Sequence, residues 1–235
     1  MVFDPLAFFG TKPVNYRFSV NDVDICRKFS SDLGYGVDEY CSRGGVGANK
    51  VRRDILVGKL REIIACKSLR VFDLEVTDPD FKIYPIEEKS FDADLVVDGK
   101  VNVHVKSCDL SNGFTQSMQT ASWIFNRSNS QGTGGLDTHC LGDGSAECPD
   151  WVCFVVVNSE DLWGSISYVV NVKSLHDHKL FSPPALDNKR QTKLAVYAHR
   201  GNGSVFSGPI NVLSDTFETR LDTPVLDYIM KKNTT

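Results

Sequence analysis

A mixed α/β fold, one domain with a mixed central β-sheet flanked by helices, is what this sequence predicts, on three observations. Residues 49–70 place apolar side chains at helical spacing with no proline. Residues 91–107 alternate apolar and polar side chains on both sides of an Asp-Gly pair, the pattern of two strands and a turn. The runs WVCFVVVN (151–158) and SISYVVNV (165–172) are rich in the β-branched and aromatic residues that strands favour. With 235 residues and 41% hydrophobic content, the chain can fill one well-formed core, so a single domain over 1–235 is expected and general disorder is excluded.

Taken in order, residues 1–45 mix aromatics with Gly and Asp and give no clean period. The helix over 49–70 follows. VFDLEV (71–76) then predicts a strand, leading into a loop through Asp78-Pro79-Asp80. After the strand pair of 91–107, the Gly-, Ser-, Asn- and Asp-rich stretch 126–150 predicts a long loop. The two strands of 151–172 come next. Pro183-Pro184 makes 176–193 irregular. LAVYAH and the stretch around VFSGPINVL predict further strands, and a short helix closes the chain near 224–232.

The strand pair carries the first chemistry. Ala93, Leu95 and Val97 share a face with Val101, Val103 and Val105, whereas Asp92 and Asp94 share the other with Asn102, His104 and Lys106. A three-residue loop, Asp98-Gly99-Lys100, sets Val97 opposite Val101 and keeps the apolar face intact. Slipping by one residue would turn that face outward, so register follows from burial. The same register sets Asp94 opposite His104 and Asp92 opposite Lys106. The polar face is then either a solvated surface with ordinary ion pairs or a site.

The helix bears on that choice. At 100° per residue, Val51, Ile55, Gly58, Cys66 and Leu69 all fall within about 40° of Glu62. Glu62 therefore lies in the stripe that faces the sheet, where a carboxylate must be protonated, paired or metal-bound. Lys59 and Arg61 are its possible partners within the helix, but neither lies on the same face as well as an inward partner would. Gly58, one turn earlier, would let the backbone approach a neighbour closely.

A helix bearing Glu, a strand with Asp, a tight hairpin and a strand with a residue two before Lys together resemble the PD-(D/E)xK nuclease superfamily. The pieces are GKLREIIA (Glu62), DADLVV (Asp94) and VHVKS (His104 and Lys106), spaced 94 − 62 = 32 and 104 − 94 = 10 positions apart. The resemblance covers roughly residues 48–110, with the strand at 151–158 as a following core element. It implies a restriction-endonuclease-like fold and a divalent-metal-dependent DNA endonuclease of the restriction, homing or recombination type, such as bacteria, phages and mobile elements encode. It further implies catalytic roles for Glu62, Asp94, His104 and Lys106, with Asp94, Glu62 and His104 at the metal. Ala93 stands where the family often has Pro, and His104 where it has Glu or Asp. Imidazole suits Mn²⁺ better than the hard Mg²⁺ ion, so Mg²⁺ is the expected cofactor with Mn²⁺ possible or preferred. His104 could ligate the metal, hold a water on it, or orient Asp94. Its presence also admits a catalytically silent DNA-binding or regulatory module on the same fold, and a solvated hairpin face admits an interaction protein without nuclease activity.

Nucleic-acid contacts would come from Arg52, Arg53 and Lys59 on the helix, which belong to a basic cluster with Arg43, Lys50 and Arg61, or else form a solvated face. Ser107, Gln116 and Gln119 follow the Lys106 strand, and Lys189, Arg190 and Lys193 lie in the 176–193 loop. The net charge of −4 advertises no polyanion partner but does not exclude local patches. His139, Cys140, Cys148 and Cys153 lack paired C-x₂-C spacing, which argues against zinc. Gly44-Gly45-Val46-Gly47 lacks the Lys-Ser/Thr of a phosphate loop, and His176 and His178 read as exposed. No apolar run reaches the ~18–20 residues of a membrane span. MVFDPLAFFGTKP has no basic region ahead of its apolar patch and does not read as a signal peptide. Seven cysteines, odd in number and scattered, then predict reduced thiols in a cytoplasmic setting. Cutting both strands of a duplex with one site per chain favours a homodimer.

Overall fold

The computed structural model describes residues 14–33, 47–84, 93–110, 124–126, 150–178, 180, 191–193 and 209–233, with 14, 124–126, 176, 191–193 and 209–212 described by backbone alone. A five-stranded mixed sheet runs in the order β1-β6-β5-β3-β2. Its strands are β1 (Val14–Arg17), β2 (Leu95–Val97), β3 (Val101–Asp109), β5 (Trp151–Asn158) and β6 (Trp163–Asn171). β4 (Ile124–Asn126) and β7 (Gln191–Lys193) form a separate two-stranded sheet.

β5 explains the layering. It pairs in parallel with β3 and antiparallel with β6, and every residue from Trp151 to Val157 is buried. A strand covered on both faces needs a continuous apolar run, which WVCFVVVN supplies. Trp151, Cys153, Val155 and Val157 join Val101, Val103 and Val105 of β3 in one core. Val152, Phe154 and Val156 join Cys108 and Tyr168 in another on the opposite face.

The first core is covered by α1 (Val20–Asp32), α2 (Ala48–Arg70) and α5 (Thr223–Asn233). α2, expected over 49–70, contributes Val57, Leu60, Ile63, Ile64 and Leu69. It approaches β6 closely at Gly164, where a Cβ would lie 2.2 Å from Ile64 Cδ1 and 2.9 Å from the Val156 carbonyl oxygen. Gly58 does not play the role expected of it: a Cβ there meets no described atom within 4 Å. The second core is closed by α3 (Val172–Asp177), through Leu175, and by α4 (Pro209–Thr216), through Leu213.

The hairpin has the expected register, with Leu95 opposite Val103 and Val97 opposite Val101. Asp98 and Gly99 turn the chain at φ 50° and 67°, in the left-handed region that Gly enters freely and Asp tolerates. β2 is only three residues long, so Asp94 stands just outside the ladder.

Some segments depart from the sequence expectation. Residues 71–76 form a turn and one isolated bridge, Val76 to Val97, instead of a strand. The alternation of buried Phe72, Leu74 and Val76 is there, but β2 offers too little edge for a longer ladder. INVL falls in helix α4, and α3 begins where 165–172 predicted continued strand. In the aperiodic N-terminal segment, α1 is started by a capping box in which Ser19 Oγ accepts from Asp22 N–H while Asp22 accepts from Ser19 N–H, both at 3.1 Å. Within the 176–193 segment, 191–193 form β7. The 127–149 stretch and LAVYAH lie outside the described residues.

Candidate active site

Glu62 is carried inward on α2, as its place in the apolar stripe predicts, and is 5% exposed. Lys59 Nζ donates to its Oε2 at 2.7 Å, one of the two bland partners the sequence allowed. Burial pushes the Glu62 carboxyl up to about 7; the Asp94 charge adds to the rise, and Lys59 and Arg61 oppose it. Glu62 and Asp94 therefore lie within electrostatic range of each other.

Asp94 sits where β2 gives out. Among the described residues no strand faces β3 on this edge beyond Leu95, where Val105 N–H points outward from the ladder. The Asp94 carboxylate accepts a hydrogen bond from it at 2.7 Å, doing for the sheet edge what a capping side chain does for a helix. Its other oxygen lies 3.7 Å from Arg61 Nη2. The group is thus anchored in the plane of the sheet edge, beside α2.

His104 departs from the expectation. The register predicts it opposite Asp94, but its imidazole Nε2 stands 3.3 Å from Asp150 Oδ2. His104 alternates with Val103 and Val105, so it faces the second core, next to Val152 of β5. Asp150 immediately precedes β5, and its carbonyl oxygen accepts from Val172 N–H at 2.9 Å. Parallel pairing of β3 with β5 brings the two together across a sequence gap that no local pattern spans. By the same alternation half-buried Lys106 projects to the His104 side of β3.

The chain therefore brings Glu62 into electrostatic range of Asp94 and sends His104 and, against expectation, Lys106 to the other face of the sheet, because both alternate with Val103 and Val105 of the first core. Among the described residues no three His, Cys, Asp or Glu side chains come close enough to share one ion. Cys26 lies near Glu62, but burial, and then the Glu62 charge, push its thiol up to about 12, so it offers no thiolate at neutral pH. Two hard carboxylates remain. That set fits Mg²⁺, which keeps several waters and is commonly held by one or two carboxylates. The imidazole that argued for Mn²⁺ belongs to the Asp150 pair.

The residues expected to touch nucleic acid are placed as follows. Arg52 is exposed, and its carbonyl accepts from Ser30 Oγ at 2.9 Å. Arg53 binds Asp109 (3.1 Å) and Ser159 (3.3 Å), tying α2 to the ends of β3 and β5. Lys59 is turned inward to Glu62. Ser107 is half-buried within β3, opposite Val155. Gln116, Gln119, Lys189 and Arg190 lie outside the described residues, as do His139, Cys140, Cys148 and residues 43–46; Lys193 is placed by backbone only, opposite Ile124. Sequence reasoning missed Asp150, which stood in the Gly- and Asp-rich stretch, and Phe29 and Phe81, whose rings flank Lys59.

No helix among the described residues is long and apolar enough to cross a membrane. Comparison with protein-family models, with curated proteins and with solved structures found no match.

Proposed function

We propose that the protein is a divalent-metal-dependent DNA endonuclease on a restriction-endonuclease-like core, with Glu62 and Asp94 holding the metal. One observation carries the reading: α2, which buries Glu62, reaches Asp94 through the neighbouring Arg61 at 3.7 Å, at the point where the hairpin's first strand ends. The Asp94 charge adds to the cost of ionising buried Glu62, and a divalent cation is a partner that would relieve it. The order of helix, antiparallel hairpin and parallel strand is the supporting frame.

A bound Mg²⁺ would supply a water of lowered pKa and neutralise charge that develops on the phosphate. Val105 N–H fixes the Asp94 carboxylate in one orientation, and Arg61 adds positive potential beside it. Cleavage of both strands would use two copies of the chain, hence a homodimer.

The test is plasmid nicking with Mg²⁺ and with Mn²⁺, run beside a DNA-binding measurement. Cleavage that Glu62→Gln and Asp94→Asn each abolish, with binding retained, supports the reading. The placement of His104 on Asp150 favours a second one, a silent DNA-binding module, because the third metal ligand is not at the site. Binding without cleavage in the wild type would establish it. Neither binding nor cleavage would leave an interaction protein.

A further inference from the structure

Lys59 is held more firmly than an ordinary pair three residues apart on a helix. Its ammonium donates to Glu62 Oε2 at 2.7 Å and lies 5.1 Å from the Phe29 ring centroid and 5.6 Å from that of Phe81. The two rings meet edge to face, with centroids 5.7 Å apart and planes at 82°. One ring comes from α1 and the other from the extended segment after α2, so the cradle is tertiary and positions the charge from two sides. Both partners are largely removed from solvent, with side-chain exposures of 16% and 7%. A desolvated cation over aromatic faces is held more strongly than a surface pair of this spacing.

We propose that Lys59 is the built-in counter-cation of Glu62, occupying the carboxylate that a divalent ion needs and thereby setting the affinity of the site for that ion. The inference rests on the metal-site reading above. Two cations cannot share the same carboxylate oxygen without repulsion, so an arriving ion must displace the ammonium from Glu62. The four-carbon lysine stem lets the charge swing away while its methylenes stay packed. Phe29 and Phe81 oppose that swing, because they stabilise the ammonium where it stands. Lys59 is thus a residue that determines cation affinity, and the aromatic pair strengthens its hold.

The experiment is calorimetric titration with Ca²⁺, and separately Mg²⁺. Lys59→Met keeps the stem and removes the charge; it should bind the ion at least tenfold more tightly than wild type. Lys59→Arg should stay within about twofold of wild type, and Phe81→Leu should fall between. Adding Glu62→Gln to Lys59→Met should erase the gain. A second readout uses the wild-type chain alone: acylation of the Lys59 amine, followed by mass spectrometry, should accelerate several-fold in saturating Ca²⁺. Wild-type ion binding with no change in Lys59→Met and no change in acylation would overturn the inference and leave the metal site standing. Absence of ion binding in every variant would remove both.

Discussion

At the scale of single residues, the His104–Asp150 pair and the two glycines of α2 and β6 give the sharpest expectations. His104→Ala takes one partner from a buried carboxylate, which should cost about 1–3 kcal/mol of stability. Because the imidazole points away from Asp94, the ion concentration that supports nicking should not move in a folded variant. A shift in metal requirement would place His104 back at the metal. Gly164→Ala should lose several kcal/mol in urea melts, since the added methyl overlaps Ile64 and a backbone carbonyl that cannot yield. Gly58→Ala, inside a helix and meeting no described atom, should instead gain about 0.5–1 kcal/mol.

At the scale of elements, the hairpin that carries Asp94 and Lys106 is clamped by the C-terminal helix α5. Asp98, in the turn, accepts from Tyr228 Oη at 2.7 Å and from Glu75 N–H at 3.0 Å, and is ion-paired with Lys232. Trp151 of β5 packs edge to face on Tyr228, with centroids 5.2 Å apart. The turn, the central strand and the last helix therefore hold one another. Tyr228→Phe keeps the ring contact and removes one charge-assisted hydrogen bond, so it should cost about 1.5–3 kcal/mol in equilibrium unfolding. A variant as stable as wild type would mean that water replaces the phenol at no cost. Asp222 anchors the other end of α5: it accepts from Val225 N–H at 3.2 Å, as a cap, and from Asn171 N–H at 3.0 Å, which joins the helix start to the end of β6.

At the scale of the whole molecule, these carboxylates set opposing responses to pH. Burial pushes Asp22 up, but the Lys67 ammonium, Ser19 and Tyr16 outweigh it and hold the group below its ordinary range. Burial likewise opposes ionisation of Asp98, and Lys232, Tyr228 and the Glu75 N–H prevail. Both contribute stability that is present above the ordinary carboxyl pKa of 3.8 and lost as pH falls through their lowered values. Glu62 runs the other way. Its folded value of about 7 lies above the ordinary 4.5, so its contribution is complete below 4.5 and lost as pH rises through 7. That difference amounts to about 3 kcal/mol. With a chelator present, the stability of wild type minus that of Glu62→Gln should fall by this order between pH 4.5 and pH 8 in denaturant titrations. A pH-independent difference would mean that the Lys59 pair, not burial, governs Glu62.

Local pattern alone determined the parts of this protein in which one face is buried. The Asp98-Gly99-Lys100 register, the α2 helix and the inward turn of Glu62 all follow from keeping apolar side chains on one side, because a slip of one residue or a rotation of half a turn would expose them. The same reasoning treated the polar face of β3 as a single surface, and there it failed. β5 joins β3 on one edge and α3 and α4 cover that face, so His104 is buried against Asp150 from 46 positions away. β2 ends after three residues, so Asp94 leaves the ladder and turns to Val105 N–H and Arg61. The Phe29 and Phe81 cradle of Lys59 likewise joins segments that share no periodicity. Which polar groups meet was decided by strand order and strand length, because burial on both faces and the end of a ladder are properties of the assembled sheet and not of any one strand.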